Sequence, residues 1–181
     1  MATVNSELHS LVAEFPACRK LLEVWEQWRG TSDVPVKQKA NPEDLGFAMA
    51  NVSIFELTDD DQVFIRLLAT RIQEKIMQKG QGRDLLVATD ESEREIRKQR
   101  YKRVISQPAA MLADNVLILK TGVFFKLKVL VLPVFDENGT RSFAYNAADI
   151  LDDTPQFDQS PAEFSAVPLA VDPMFFDLSE G

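Results

Sequence analysis

The feature that most constrains the fold lies in residues 123–149, where a long run of apolar residues is followed by a turn signal and then by a second, shorter run that also favours a strand. Asn138-Gly139 is a dipeptide that tight β-hairpins favour, because both residues tolerate positive φ. In the first arm, one face of a strand is apolar from Phe125 onward, whereas the other face begins with Lys126 and Lys128 before it becomes apolar. Such a strand is half-buried at its start and buried on both faces near its end. The sequence therefore predicts a strand inside a sheet that other elements cover.

The order of the predicted elements indicates the fold class. Apolar residues with helical spacing predict helices up to Gly30, and a short helix begins at Pro42. Two strands over 52–57 and 62–68 follow, then helices, and then three further strands. Strands before and after a helical crossing predict an α+β fold with an antiparallel sheet. The 181 residues suit one domain with an extension. We divide the chain into an N-terminal helical segment, a central domain and a C-terminal extension, over residues 1–30, 31–149 and 150–181.

The C-terminal extension differs from the rest of the chain in composition. No Lys or Arg follows Arg141 and eight acidic residues lie beyond it, so the remaining chain has 20 basic and 20 acidic residues. Four of the nine prolines and several large apolar residues also lie in the extension. Pure disorder would carry fewer large apolar groups. We expect the extension to lie extended across the body of the protein or across a partner subunit.

Several features favour a cytoplasmic protein that does not cross a membrane. The single cysteine, Cys18, excludes an internal disulfide, which fits a reducing compartment. The N-terminus lacks the charged and apolar segments of a secretory signal. The most apolar window, residues 116–135, is interrupted by three lysines, which argues against a membrane span.

The sequence contains no catalytic motif that can be recognised by eye. It has no Gly-rich phosphate loop, no Gly-x-Ser-x-Gly and no Cys-x-x-Cys. His9 is the only histidine, so a metal site built on histidine would have to use it alone. Cys18 lies on the apolar stripe of its helix, where packing is the expected role of a thiol. We expect the protein to have no catalytic activity and to bind no metal.

A basic run over residues 94–103 allows three interpretations. It holds six cations in ten residues, which is the charge of a nucleic-acid patch. The body of the chain is neutral, however, so a solvated helix face is the better interpretation and nucleic acid is not an expected partner. Alternatively the acidic extension neutralises this helix, within one chain or between two, although such exposed pairs contribute only about 0–1 kcal/mol each.

Five short motifs then give the chain a resemblance to a known family. They occur in the order Trp25-x-x-x-Arg29-Gly30, Pro42-x-Asp44-Leu45, Arg66-Leu67-Leu68-Ala69-Thr70, Gly82-Arg83-Asp84-Leu85, and Leu132-Pro133-Val134 with Asn138-Gly139. With this order and spacing, residues 20–150 resemble a bacterial family of single-domain PAS-like proteins. The resemblance implies a five-stranded antiparallel sheet with helices packed on one face. We expect an N-terminal helix and an extended C-terminal tail in addition, and the tail after residue 150 lies outside the resemblance. A small cavity is expected between sheet and helices.

The resemblance also implies a sensor and interaction module in signal transduction. Such modules are often dimeric through an N-terminal helix or through the open face of the sheet. A homodimer or a signalling protein is therefore an expected partner, and a small-molecule ligand is another. Haem-binding members need a histidine in the helical region and flavin photoreceptors need a cysteine there, so we expect neither cofactor.

Two alternatives to a sensory module remain: a small cavity enzyme with a lone buried carboxylate, and a purely dimerising scaffold. The candidate pocket residues are Ile54, Phe64, Ile72, Ile76, Val104, Leu117 and Val129, and the candidate interface residues are Leu21, Trp25 and Trp28.

Overall fold

The structure, a computed structural model, describes residues 6–76, 81–87, 89, 91–118, 124–139, 141–151 and 167–179. Four α-helices, one 3₁₀ helix and six strands lie in these ranges. They are α1 (Ser6–Val12), α2 (Pro16–Arg29), the 3₁₀ helix (Pro42–Asn51), β1 (Val52–Leu57), β2 (Val63–Leu67), α3 (Thr70–Ile76), α4 (Glu91–Ser106), β3 (Ala109–Ile118), β4 (Phe124–Phe135), β5 (Ser142–Ile150) and β6 (Val167–Asp177).

The strands form one sheet in the order β2-β1-β5-β4-β3-β6, and every neighbouring pair is antiparallel. The predicted hairpin is confirmed, because β4 and β5 pair in register from Leu127 opposite Ile150 to Phe135 opposite Ser142. Gly139 adopts a φ of 65° in the turn, which only a residue without a Cβ adopts readily. The α+β class with an antiparallel sheet is therefore confirmed.

The sheet has six strands rather than the five that were expected. The additional strand, β6, comes from the C-terminal extension and pairs along the whole of β3, from Ala109 opposite Asp177 to Ile118 opposite Val167. It lies at the edge of the sheet, where Pro168 and Pro173 are tolerated because an edge strand leaves half of its backbone groups unpaired. This part of the extension is thus extended across the body, as predicted, while residues 152–166 lie outside the described residues.

Helices cover both faces of the sheet. On one face, α1, α2 and the 3₁₀ helix enclose a core that includes Leu130, Leu132 and Val134 of β4. On the other face, α4 and the segment 81–89 enclose a second core that includes Val129 and Val131. We expected helices on one face of the sheet only, with the N-terminal helix outside this layer. The structure shows instead that the N-terminal helix covers the opposite face. The central strand is consequently buried on both sides.

The position of α2 depends on contacts with the ends of two strands. Its N-terminus has no cap from Phe15, and instead the carboxylate of Asp149 accepts the backbone N–H groups of Ala17 (3.1 Å) and Cys18 (2.9 Å). Farther along, Trp25 Nε1 donates to the Pro133 carbonyl at 2.7 Å. Both attachments fix the N-terminal helix on the sheet.

Within the described part of the chain, none of the helices combines the length and the apolar character that a membrane span requires.

Candidate functional site

The α4 helix covers the sheet with unusually few apolar side chains. Only Tyr101 and Val104 of its 16 residues are buried. Arg97 lies one helical turn before Tyr101, so the two side chains project from the same face of the helix. A layer that would ordinarily be closed by aliphatic residues therefore contains a guanidinium and a phenol.

The register of the sheet places polar residues beneath α4. Met111, Val131 and Asn146 are directly opposite one another on β3, β4 and β5, so their side chains share one face. Asn115 lies four residues after Met111 and projects from the same face. A cavity of about 30 Å³ lies between this face and α4. Its lining residues are Thr89, Glu93, Arg97, Arg100, Tyr101, Met111, Asn115, Val129, Val131 and Asn146.

Arg97 is the most unusual group in this cavity. Its Nη1 donates to the Thr89 hydroxyl at 2.6 Å, and that hydroxyl donates to the Leu85 carbonyl at 2.9 Å. Among the described residues no carboxylate lies within ion-pair distance of Arg97. Burial lowers the pKa of the Arg97 guanidinium, and the neighbouring Arg100 acts in the same direction. An arginine nevertheless stays charged in proteins, so the cavity contains a cation whose only described hydrogen-bond acceptor is neutral.

Tyr101 connects the helix to β5. Its hydroxyl donates to Asn146 Oδ1 at 3.3 Å, and Asn146 Nδ2 donates to the Ala144 carbonyl at 3.1 Å. The Tyr101 ring meets Phe55 edge to face, with 5.7 Å between the ring centroids. Burial raises the pKa of Tyr101 to about 12. The phenol therefore stays protonated at neutral pH and acts as a hydrogen-bond donor.

Asn115 supplies a buried hydrogen-bond acceptor that no described donor satisfies. Its Oδ1 is buried and has no hydrogen-bond partner among the described residues. Buried polar atoms are nearly always paired, and leaving one unpaired costs about 1–3 kcal/mol. Arg97 and Asn115 thus place a charged donor and an unsatisfied acceptor on the wall of the same cavity.

The segment 81–89 positions Thr89 by pairing with the edge of β2. Gly82 N–H donates to the Ile65 carbonyl at 2.7 Å, Ile65 N–H donates to the Arg83 carbonyl at 2.9 Å, and Leu85 N–H donates to the Val63 carbonyl at 2.8 Å. Gly82 has a φ of 81°, which explains why glycine begins this motif. The motif at residues 82–85 therefore anchors, on β2, the segment that brings Thr89 to the cavity wall.

The candidate pocket residues occupy several different places. Val129 lines the cavity, and Val104 and Ile72 pack in the same core. Ile54 lies opposite Tyr145, one position away from Asn146, and so projects to the α2 face. Phe64 is half-buried on β2, with the Arg66 guanidinium 5.7 Å from its ring centroid. The side chains of Ile76 and Leu117 lie outside the described residues.

The candidate interface residues belong to the core of the domain. Leu21 and Trp25 are fully buried and Trp28 is 5% exposed. Trp28 Nε1 donates to Asp44 Oδ2 at 2.8 Å, and its ring meets Tyr145 edge to face. In this conformation all three side chains pack on the body of their own chain, so they are not available at the surface for a dimer contact.

The polar residues that line the cavity were not identified from the sequence. Asn115 and Asn146 gave a usable signal, because each is a polar residue in a mostly apolar strand. Arg97 and Tyr101 gave none, since their helix is polar on all sides. His9 Nε2 donates to the Glu26 carboxylate at 3.0 Å, and the Cys18 side chain is buried between α2 and the sheet, so neither side chain faces this cavity. The absence of haem and flavin stays a prediction.

Comparison with known proteins adds one finding. A family model described as a PAS domain matches residues 13–145. The matched range begins just before α2 and ends within β5, and it includes α4, whereas β6 lies beyond it. A search of curated proteins finds no match to the chain.

Proposed function

Because the chain belongs to the PAS domain family, we propose that it is a non-catalytic sensory module in which a small polar ligand binds between α4 and the sheet. The bound ligand changes the position of α4, and α4 passes this change to a protein partner or to a second copy. The observation that carries the proposal is the half-buried Arg97, which has only a neutral described partner. A cation retained at such a place costs stability unless it is matched by an acceptor.

The chemistry of the cavity indicates the class of ligand. Arg97 offers a forked donor that suits a carboxylate or a phosphate. Asn115 Oδ1 accepts from a hydroxyl or an amino group. A small molecule with an anionic group beside a hydrogen-bond donor, such as a hydroxy acid, satisfies both groups at once.

The volume of the cavity implies that α4 moves when a ligand enters. Pockets for small molecules have volumes of about 300 Å³ or more, whereas the cavity here has about 30 Å³. Only two of the 16 side chains of α4 are buried, so its displacement from the sheet costs little burial of side chains. A ligand that binds only the displaced arrangement shifts the population toward it. This shift is the proposed signal.

Replacement of Arg97 by methionine tests the site. The Arg97→Met protein should be as stable as the parent or more stable, because an uncompensated charge is replaced by an apolar chain of similar length. A set of small carboxylates, hydroxy acids and phosphate esters at millimolar concentration should include one that raises the melting temperature of the parent but not of Arg97→Met. A ligand at one hundred times its Kd stabilises by about 2.7 kcal/mol.

The control is Arg71→Met, which removes an exposed arginine of α3 and should leave the ligand-induced shift unchanged. A loss of more than about 2 kcal/mol in Arg97→Met, measured by urea unfolding, would make Arg97 a structural residue and contradict the proposal. An equal ligand-induced shift in the parent and in Arg97→Met would place binding elsewhere.

A second candidate is a module that acts through protein contacts alone. The small volume of the cavity favours it, since a nearly filled interior needs no ligand. It predicts that no small molecule of the set shifts the melting temperature. The alternative of a carboxylate enzyme has less support, because the one described carboxylate on the cavity wall, Glu93, is half-exposed and no second acid lines the cavity.

A further inference from the structure

The outer side of α4 forms a second feature, a surface groove between this helix and β6. The groove has a volume of about 370 Å³ and is lined by Glu95, Ile96, Gln99, Arg100, Arg103 and Phe175. Ile96, Arg100 and Arg103 follow helical spacing, so they form one stripe along α4. Phe175 lies opposite Met111 in the sheet, which places it next to the polar cavity but beyond the edge of the family match.

The floor of the groove is apolar. Ile96 is 47% exposed, and the half-buried ring of Phe175 packs against the core beneath α4. An exposed isoleucine beside a half-buried aromatic ring can bury a bulky apolar side chain from another molecule, and such anchors contribute strongly to binding.

The charges around this floor are unbalanced. The Glu95 carboxylate forms an ion pair with Lys98 Nζ (2.7 Å) and accepts a hydrogen bond from Gln99 Nε2 (2.7 Å). Arg103 lies over the Phe175 ring at 3.9 Å, and neither Arg100 nor Arg103 has a carboxylate within ion-pair distance among the described residues. Stacking on the ring fixes the Arg103 guanidinium while its N–H groups stay available to a carboxylate.

We propose that this groove binds an acidic peptide segment of a partner protein, with a bulky apolar side chain of the segment on Ile96 and Phe175 and its carboxylates on Arg100 and Arg103. The two cations around an apolar floor are complementary to such a segment in charge and in polarity. The inference goes beyond the proposed function, because the groove lies on the outer side of α4, shares only Arg100 with the lining of the Arg97 cavity, and needs no ligand there. Since α4 forms one wall of each, movement of the helix alters the groove.

The test is binding of a short fluorescent peptide in which one Phe is flanked by Asp and Glu, followed by anisotropy with the full-length protein. Arg100→Glu with Arg103→Glu should weaken binding at least about tenfold, and Ile96→Ala several-fold. The charge-matched control, Arg71→Glu with Lys126→Glu, replaces two exposed cations outside the groove and should bind within about twofold of the parent. The assay contains no small-molecule ligand, so failure of the proposed ligand site leaves this test intact.

Four results would overturn the inference. The first is an equal loss of binding in the two double variants. The second is equal binding of peptides in which the acids are replaced by their amides or the Phe by Ala. The third is equally tight binding of a single-stranded oligonucleotide, which would indicate a general polyanion patch. The fourth is tighter binding after the acids of residues 152–166 are changed to amides in the full chain, which would make that segment the occupant.

Discussion

At the scale of single residues, the site is defined by polar groups where an apolar core is expected. Arg97 has a neutral described partner, and Asn115 Oδ1 has none among the described residues. Both arrangements cost stability, because desolvation is not repaid by a full set of hydrogen bonds. Proteins retain such destabilising groups chiefly where a function requires them. These two residues therefore indicate function more strongly than the seven apolar pocket candidates do.

Tyr101 gives the site a pH dependence. Its pKa is about 12 in the folded protein against an ordinary value of 10.0, so the folded state holds this proton more tightly than the unfolded state. The free energy of unfolding should therefore fall as the pH rises from about 10 to about 12, by roughly 2–3 kcal/mol in total. Urea unfolding at a series of pH values measures this fall.

Tyr101→Phe is the matched variant for this prediction. It lacks the titrating hydroxyl, so its stability should decline less steeply over the same pH range. Tyr145, whose pKa is also raised by burial, accounts for part of the remaining decline. Parallel pH profiles for the parent and for Tyr101→Phe would contradict the prediction.

At the scale of elements, the sequence predicted β4 well and α4 poorly. The alternation from Phe125 to Val134 reports burial directly, because the side-chain period of a strand is two and both of its faces are apolar near its end. The placement of α4 has no such signal, since its 16 residues include only two that are buried. Hydrophobic periodicity cannot show which face of a uniformly polar helix meets the sheet. Arg97 and Tyr101 could not be assigned to a site for this reason.

Asp149 tests how the N-terminal helix is held. Its carboxylate accepts two backbone N–H groups at the N-terminus of α2, where the helix dipole favours a negative charge. Asp149→Ala should lower the free energy of unfolding by about 1–2 kcal/mol. Asp149→Asn keeps one acceptor oxygen and should lose less.

Urea unfolding of the two Asp149 variants compares these losses. Equal losses in the alanine and asparagine variants would show that the hydrogen bonds to α2 contribute little. The contact joins residues 132 positions apart in the chain, and for that reason no local sequence pattern revealed it.

At the scale of the whole molecule, the antiparallel sheet separates two layers with different properties. The α2 layer is mainly apolar and contains both tryptophans, whereas the α4 layer contains the polar cavity and the groove beside β6. The fold class followed from the order of strands and helices, and the family match agrees with it. The sixth strand was not predicted as a strand, because Pro168 and Pro173 weaken the strand signal except at a sheet edge. In the proposed mechanism, α4 is the movable cover of the domain.

Hydrogen exchange of the full-length protein tests this central claim most directly. Amides of α4 should exchange through local opening, at a free energy at least about 2 kcal/mol below that of the β4 amides, which should exchange only on global unfolding. If α4 and β4 amides exchange at the same free energy, α4 is fixed to the sheet as firmly as the core strand, and a signal carried by its displacement is contradicted.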